Sequence, residues 1–240
     1  MPKFFEDSFS PDAPYLNGEH ARHIGYALRM RVGEKLTVCA CGIDYACEID
    51  EMTADTVYLR ILSSEPCCAE PSVKVTLFQA LPKADKLELI IRKSVELGAT
   101  EIVPVLTKRC ISRMTPAEFE KKRVRLQKIA KEAAQQSGRG IIPEIAPLHT
   151  VAQAANRMKT LDCSIVLYEA EGGISFGDVP HDRSSYGMMV GAEGGFEPDE
   201  IEVLASHGVQ AVWLGRRILR CETAPLAALS ILMFRTGNMN

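Results

Sequence analysis

The residues best placed to do chemistry in this 240-residue chain sit in two glycine-bearing segments of its last third. They read Met189-Val190-Gly191-Ala192-Glu193-Gly194-Gly195-Phe196 and Leu214-Gly215-Arg216-Arg217-Ile218-Leu219-Arg220-Cys221-Glu222-Thr223-Ala224. Each begins where an apolar strand ends and closes as a helix begins. Such junctions present unpaired backbone N–H groups, and glycine lets a ligand approach the main chain closely. Two of them on consecutive strand–helix units point to one shared pocket. Glu193, at the positive end of a helix beside a cleft, either caps backbone amides or acts on substrate. Arg220 is either a surface ion-pair residue or, from its place between the glycine turn and Glu222-Thr223, a cation turned to the cleft. Neither segment is a dinucleotide fingerprint or a P-loop, because Gly191-x-x-Gly194-Gly195 lacks that spacing and no Gly-Lys-Ser/Thr follows.

Two further groups of residues have the chemistry of polyanion contact. Between Lys108 and Arg139, ten basic residues face three acidic ones, in a chain whose formal net charge is −3. Lys121, Arg125, Lys128 and Lys131 share a helical stripe opposite Phe119, Leu126, Ile129 and Ala133. A solvated helix face and a nucleic-acid footprint both fit this pattern, and the local excess of positive charge favours the footprint at least as much. Upstream, Gln79-Ala80-Leu81-Pro82-Lys83-Ala84-Asp85-Lys86 leaves a strand and enters a helix. Lys83 and Lys86 there either hold phosphates or belong to ordinary helix-start chemistry. His20 and His23 read as surface histidines, with an RNA contact open to His23 and Arg29.

These groups need elements to hold them. From Val73 onward strands and helices alternate: strands over 73–78, 102–105, 164–168, 186–190 and 209–214, and helices over 84–97, 115–136, 198–207 and 223–234. Gly98 stops the first helix, and Thr115-Pro116-Ala117-Glu118 is a capping box with proline at the first helical position. Pro104 favours a sheet edge or a strand end. Alternation of this kind predicts an α/β domain with a mostly parallel sheet, whose ligands lie beyond the carboxyl ends of the strands. Residues 1–70 differ, with short strands over 35–39, 45–50 and 56–62 and one helix over 19–30, as in a small β-barrel. The stretch 63–71 reads as the linker between domains spanning 1–70 and 71–240.

Composition narrows the rest. The chain is 46% hydrophobic and 25% charged, ordinary for a globular protein. Its first residues lack the charged-then-apolar layout of a secretory signal, and no apolar run reaches membrane-spanning length. None of the eight cysteines forms a C-x-x-C pair, and no His/Cys group has zinc-ligand spacing, so no metal is expected. Small thiols in a reducing cytosol are the expectation.

With these residues in view, the chain resembles the knotted methyltransferases of the SPOUT superfamily and, more closely, the RsmE family. Those are bacterial enzymes that methylate N3 of a uridine in 16S ribosomal RNA. The family's G-P-E-G-G-F pattern stands here as Gly191-Ala192-Glu193-Gly194-Gly195-Phe196, and its L-G-x-x-I-L-R-x-E-T-A pattern as Leu214 through Ala224. Upstream, Lys83-Ala84-Asp85-Lys86, Glu96-Leu97-Gly98 and Gln135-Gln136-Ser137-Gly138-Arg139 match its lysine turn, E-L-G and E-Q-S-G-R elements. His23-Ile24 and Leu28-Arg29 stand where the family has H-x-x-x-V-L-R. The match runs in order along essentially the whole chain. Two departures are Ala192 for the usual proline, which leaves the turn's glycines in place, and Gln135 for a common glutamate.

The resemblance implies a PUA-like β-barrel followed by an α/β domain with a deep trefoil knot, S-adenosylmethionine as cofactor, and a homodimer through the knot domain. It implies cofactor contacts at Glu169, Gly191, Glu193, Gly194, Gly195, Leu214, Gly215, Ile218, Leu219 and Arg220. RNA contacts are expected at Arg22, His23, Arg29, Lys83, Lys86, Arg109, Arg125 and Arg139, with 16S rRNA or the assembled small ribosomal subunit as partner. Uracil N3 is poorly nucleophilic until its proton departs, so Arg220 or Arg139 is expected to supply a positive field, with Glu193 positioning the base or joining in proton removal. Methylation of a ribose 2′-hydroxyl or another base position, a catalytically silent RNA-binding assembly factor, and a nucleotide or sugar-phosphate enzyme are the competing readings. The expected compartment is the cytoplasm.

Overall fold

The computed structural model describes residues 1–6, 8–169 and 173–239. The chain divides into two compact units, residues 1–70 with 134–141 and residues 71–133 with 142–240.

In the first unit, alternating apolar residues build a five-stranded sheet. Its elements are β1 (Lys3–Phe5), β2 (Tyr15–Asn17), α1 (Gly18–Arg22), β3 (Lys35–Ala40), β4 (Ile43–Met52) and β5 (Thr56–Pro66), with strand order β1-β3-β4-β5-β2. The β1–β3 pair is parallel and the other pairs are antiparallel. Leu36 and Val38 of β3, Cys47 and Ile49 of β4, and Val57 and Leu59 of β5 point to one core together with Leu16 and Ile24. Cys41 and Gly42 close the β3–β4 hairpin with φ of 50° and 79°. That is the two-residue geometry whose twist suits antiparallel strands.

Two sequence expectations change here. The helix expected over 19–30 is α1 followed by a π-helical turn, His23–Ala27, where the Leu28 N–H donates to the His23 carbonyl and Arg29 ends the segment at φ 51°. The stretch expected to begin the linker at Ser63 is strand as far as Pro66, because β4 is ten residues long and offers pairing partners out to Ile43.

Residues 134–141 join this unit through a buried ion pair. Arg139, only 2% exposed, donates from Nε and Nη2 to the Glu70 carboxylate at 2.9 and 2.7 Å. The amides of Gly140 and Ile141 donate to the same carboxylate at 2.7 and 3.0 Å. Burial alone would raise the Glu70 carboxyl, but the guanidinium and the two amides hold it below the usual range.

The second unit is a parallel sheet. It contains β6 (Lys74–Ala80), α2 (Lys86–Glu96), β7 (Glu101–Leu106), α3 (Pro116–Gln136, its last turn counted with the first unit), β8 (Glu144–Ile145), β9 (His149–Thr150), α4 (Val151–Met158) and β10 (Cys163–Leu167). These are followed by β11 (Ile174–Ser175), β12 (Ser185–Val190), α5 (Pro198–Ser206), β13 (Gln210–Trp213) and α6 (Ala224–Arg235). The order is β11-β13-β10-β12-β6-β7-β8, with β9 also on β7, and every assigned pair is parallel. The near-continuous burial of β6 and β12 is what a central parallel strand requires.

Pro104 is accommodated in a way that fits its missing donor. On the outer side of β7, β8 pairs Glu101 and Ile102 while β9 pairs Val105 and Leu106, so the proline stands in the gap. From β6 the chain continues to β7 on one side and returns as β12 on the other. That reversal opens a crevice at the carboxyl ends of the strands.

Candidate active site

Five strand ends feed this crevice. The loops after β10, β12 and β13, with the first turn of α2 and Arg109 beyond β7, line a pocket of about 670 Å³. All ten positions expected to meet the cofactor line it: Glu169, Gly191, Glu193, Gly194, Gly195, Leu214, Gly215, Ile218, Leu219 and Arg220.

The wall is chiefly main chain. Gly195 donates to the Ala192 carbonyl at 3.0 Å and sits at φ 66°, a left-handed turn that a side chain would strain. Opposite it, the loop after β13 runs open. Among the described residues, no amide from 215 to 221 donates to another group of the chain. A Cβ built on Gly215 would meet nothing within 4 Å, so the backbone there faces free space. Unpaired amides against an open cavity can receive a ligand's acceptors.

The charged side chains fall into two classes. Arg109 grips Glu197 with Nε and Nη2 at 2.9 and 3.2 Å and donates from Nη1 to the Gly194 carbonyl at 3.1 Å. Lys86 Nζ lies 3.0 Å from Glu193 and 3.1 Å from Glu222. Glu193 in turn accepts from the Lys83 amide, both oxygens at 3.3 Å. It therefore does cap a backbone amide, of the turn before α2 rather than of the helix that follows it. Burial pushes its carboxyl up, but the Lys86 ammonium and the amides outweigh that and hold it low. Arg217 and Arg220, by contrast, have no hydrogen-bonding or ion-pair partner for their guanidinium groups among the described residues. Cys221, the one cysteine on the wall, donates its thiol to Glu222 at 3.2 Å. Burial and the nearby Glu222 and Glu193 carboxylates push this thiol up to about 12.

The residues expected to touch RNA are dispersed. In the first unit, Arg22, His23 and Arg29 are exposed; Arg22 stands 3.9 Å from Asp55, and the His23 ring meets Phe4 edge-on. In the second, the Lys83 side chain is exposed, and Arg125 is 70% exposed while pairing with Glu88 at 3.0 Å. Lys121, Lys128 and Lys131 stand out from α3, with Phe119, Leu126, Ile129 and Ala133 beneath them. Arg139 is absent from the pocket wall, and its guanidinium is spent on Glu70, so it does not enter the catalytic reading below. Sequence reasoning passed over Glu222 and Trp213, both near the loop after β13. A glutamate directly after the Arg220-Cys221 pair, in a segment already singled out, was the available signal for Glu222.

A parallel sheet with a main-chain pocket at a topological reversal is the architecture of a small-ligand site, and residues 69–233 match the RNA methyltransferase domain family. The small subunit ribosomal RNA methyltransferase E of Bacillus subtilis is 36% identical over 230 residues, which cover 92% of this chain and 90% of that one. The crystal structure of its namesake from Neisseria gonorrhoeae, bound to S-adenosyl methionine, superposes with a TM-score of 0.84 at 31% identity, covering 98% and 97% of the two chains. A putative methyltransferase from Legionella pneumophila in complex with the same cofactor gives 0.83 at 30% identity, covering 97% and 96%. The chain belongs to the RsmE family, the ribosomal RNA small subunit methyltransferases E.

Proposed function

We propose that this chain transfers a methyl group from S-adenosylmethionine to N3 of a uridine in 16S ribosomal RNA. The observation that supports this most directly is the pocket itself, whose loop after β13 offers unbonded amides from 215 to 221 and two unpartnered arginines, Arg217 and Arg220, across from the paired Lys86 and Arg109. Its volume of about 670 Å³ falls within the ~300–1,000 Å³ that small-molecule sites occupy. The residues present fit the cofactor: open main chain at Gly195 and Gly215 for close approach, and apolar Leu214, Ile218 and Leu219 for its flat base. The cofactor supplies a methyl group on an electron-poor sulfonium.

The chain's own groups do the rest. Uracil N3 becomes nucleophilic as its proton passes to solvent water, and the developing imide anion needs positive charge. Arg220, with no carboxylate to neutralise it, supplies that field. Glu193 is a poor proton acceptor, since its carboxyl is held low and its oxygens are engaged, so its part is to fix the Lys83 turn. Carbon methylation of uracil would need an attacking thiolate, and the Cys221 thiol, pushed up to about 12, stays protonated. That weighs against attack by a ring carbon. Because N3 lies on the Watson–Crick edge, the target nucleotide must be unpaired or flipped.

The same reading includes a trefoil-knotted crossing formed by the loops after β12 and β13, a PUA-like barrel in the first unit, a homodimer, and a cytoplasmic site of action on 16S rRNA or the small subunit. Arg22, His23, Arg29, Lys83, Arg109 and Arg125 are the RNA contacts it assigns. No described helix is long and apolar enough to cross a membrane. Substituting Arg220→Ala tests the core of the mechanism. Single-turnover methylation should fall by roughly 10²–10³-fold, while RNA binding stays nearly intact. Unchanged turnover would remove Arg220 from the mechanism.

A further inference from the structure

Lys86 stands in a place that electrostatics disfavours. It is the first residue of α2, at the helix end that repels cations, and it is 30% exposed, yet its ammonium is locked between two carboxylates from other loops. Glu193 comes from the loop after β12 and Glu222 from the loop after β13, 3.0 and 3.1 Å away. Glu193 also accepts the Lys83 amide, so three segments of the pocket wall meet at one ammonium group. The cluster has a second effect. Glu222 stands two positions from Arg220 along the chain, and Glu193 shares the pocket wall with it. Both face Lys86 instead, and Arg220 has no partner among the described residues.

Resting on the methyl-transfer reading above, we infer that Lys86 is a positioning residue, not an RNA phosphate contact: it pins the two glycine loops together and keeps Glu193 and Glu222 off Arg220. This revises the sequence expectation, which grouped Lys86 with Lys83 as a phosphate ligand. A lysine committed to two carboxylates has little charge left for a phosphate, whereas the exposed Lys83 side chain has no such commitment.

The two roles separate by kinetics and by salt. Full-length wild type, Lys86→Met and Lys86→Arg are compared for kcat and KM with each substrate, and for RNA affinity across a salt series. If Lys86 positions the loops, Lys86→Met lowers kcat by about 10²-fold, the cost of a small misplacement of reacting groups. RNA affinity and its salt slope then stay as in wild type. Lys86→Arg, which still reaches two carboxylates, recovers most of the turnover. Glu222→Gln combined with Lys86→Met costs little more than Lys86→Met alone, as expected for groups that act together. The inference is overturned if Lys86→Met keeps wild-type kcat, if it weakens RNA binding and flattens the salt slope by about 0.7–0.9, or if Lys86→Arg fails to rescue although its thermal unfolding matches wild type. A wild-type protein that binds no S-adenosylmethionine overturns the methyl-transfer reading instead, and calorimetry on wild type separates that outcome from the others.

Discussion

Arg220 and Arg139 show how one residue type takes opposite roles according to its surroundings. Arg139 is buried against Glu70, where removing one partner strands the other. Replacing Arg139 with Met should therefore destabilise the protein by about 3–5 kcal/mol, read by denaturant unfolding. The pH dependence follows from the sign of the Glu70 shift. Its folded-state carboxyl is held below the unfolded value, so the stabilisation is complete above the ordinary carboxylate range and is lost as pH falls through the depressed value. Arg139→Met should flatten that acid-side loss, and an unchanged acid profile would assign it to other carboxylates. Arg220 has no such partner, and its loss should register in turnover rather than in stability. The sequence made these two arginines look alike, because both lie in family-like motifs and nothing local distinguishes them. What separates them is Glu70, 69 positions away from Arg139 along the chain. A contact of that range leaves no trace in spacing or periodicity.

At the scale of elements, the legible features were those with local causes. The capping box at Thr115 is present as read: its hydroxyl accepts from the Glu118 amide at 3.3 Å, and its amide donates to the Glu118 carboxylate at 2.8 Å. Thr150 and Gln153 make the same box at the start of α4, an equally legible signal that the strand–helix reading passed over. Thr115→Ala and Thr150→Ala should each cost about 1 kcal/mol and lower Tm by about 2–4 °C in a chain of this size, leaving cofactor affinity unchanged. The short strands β8, β9 and β11, two residues each, were illegible because two residues have no periodicity. The glycine loops could be located from sequence, but their conformation could not. Gly195 at φ 66° predicts that Gly195→Ala costs about 1–2 kcal/mol in backbone strain. Calorimetry should show weaker S-adenosylmethionine binding by that variant; undiminished affinity would mean the turn tolerates a side chain and is not part of the cradle.

For the whole molecule, the uneven distribution of charge matters more than its sum. Formal net charge is −3, yet the segment from Lys108 to Arg139 is strongly basic, and Lys121, Lys128 and Lys131 are exposed on α3. RNA affinity should fall steeply with salt, and each lysine that contacts a phosphate should flatten the log–log slope by about 0.7 when changed to glutamine. The parallel sheet was readable from alternation because β6, β7, β9, β12 and β13 are each followed by a helix. Strand order was not, since local pattern cannot tell that β12 inserts between β10 and β6. That insertion brings the loops after β12 and β13 around one pocket, and the central claim concerns what this pocket does. The most direct measurement incubates the protein with small ribosomal subunits and isotopically labelled S-adenosylmethionine, then digests the 16S rRNA and maps the label by mass spectrometry. The account predicts one labelled uridine, with the methyl retained on the free base at N3. A label on ribose, on a ring carbon, or on no nucleotide at all would contradict it.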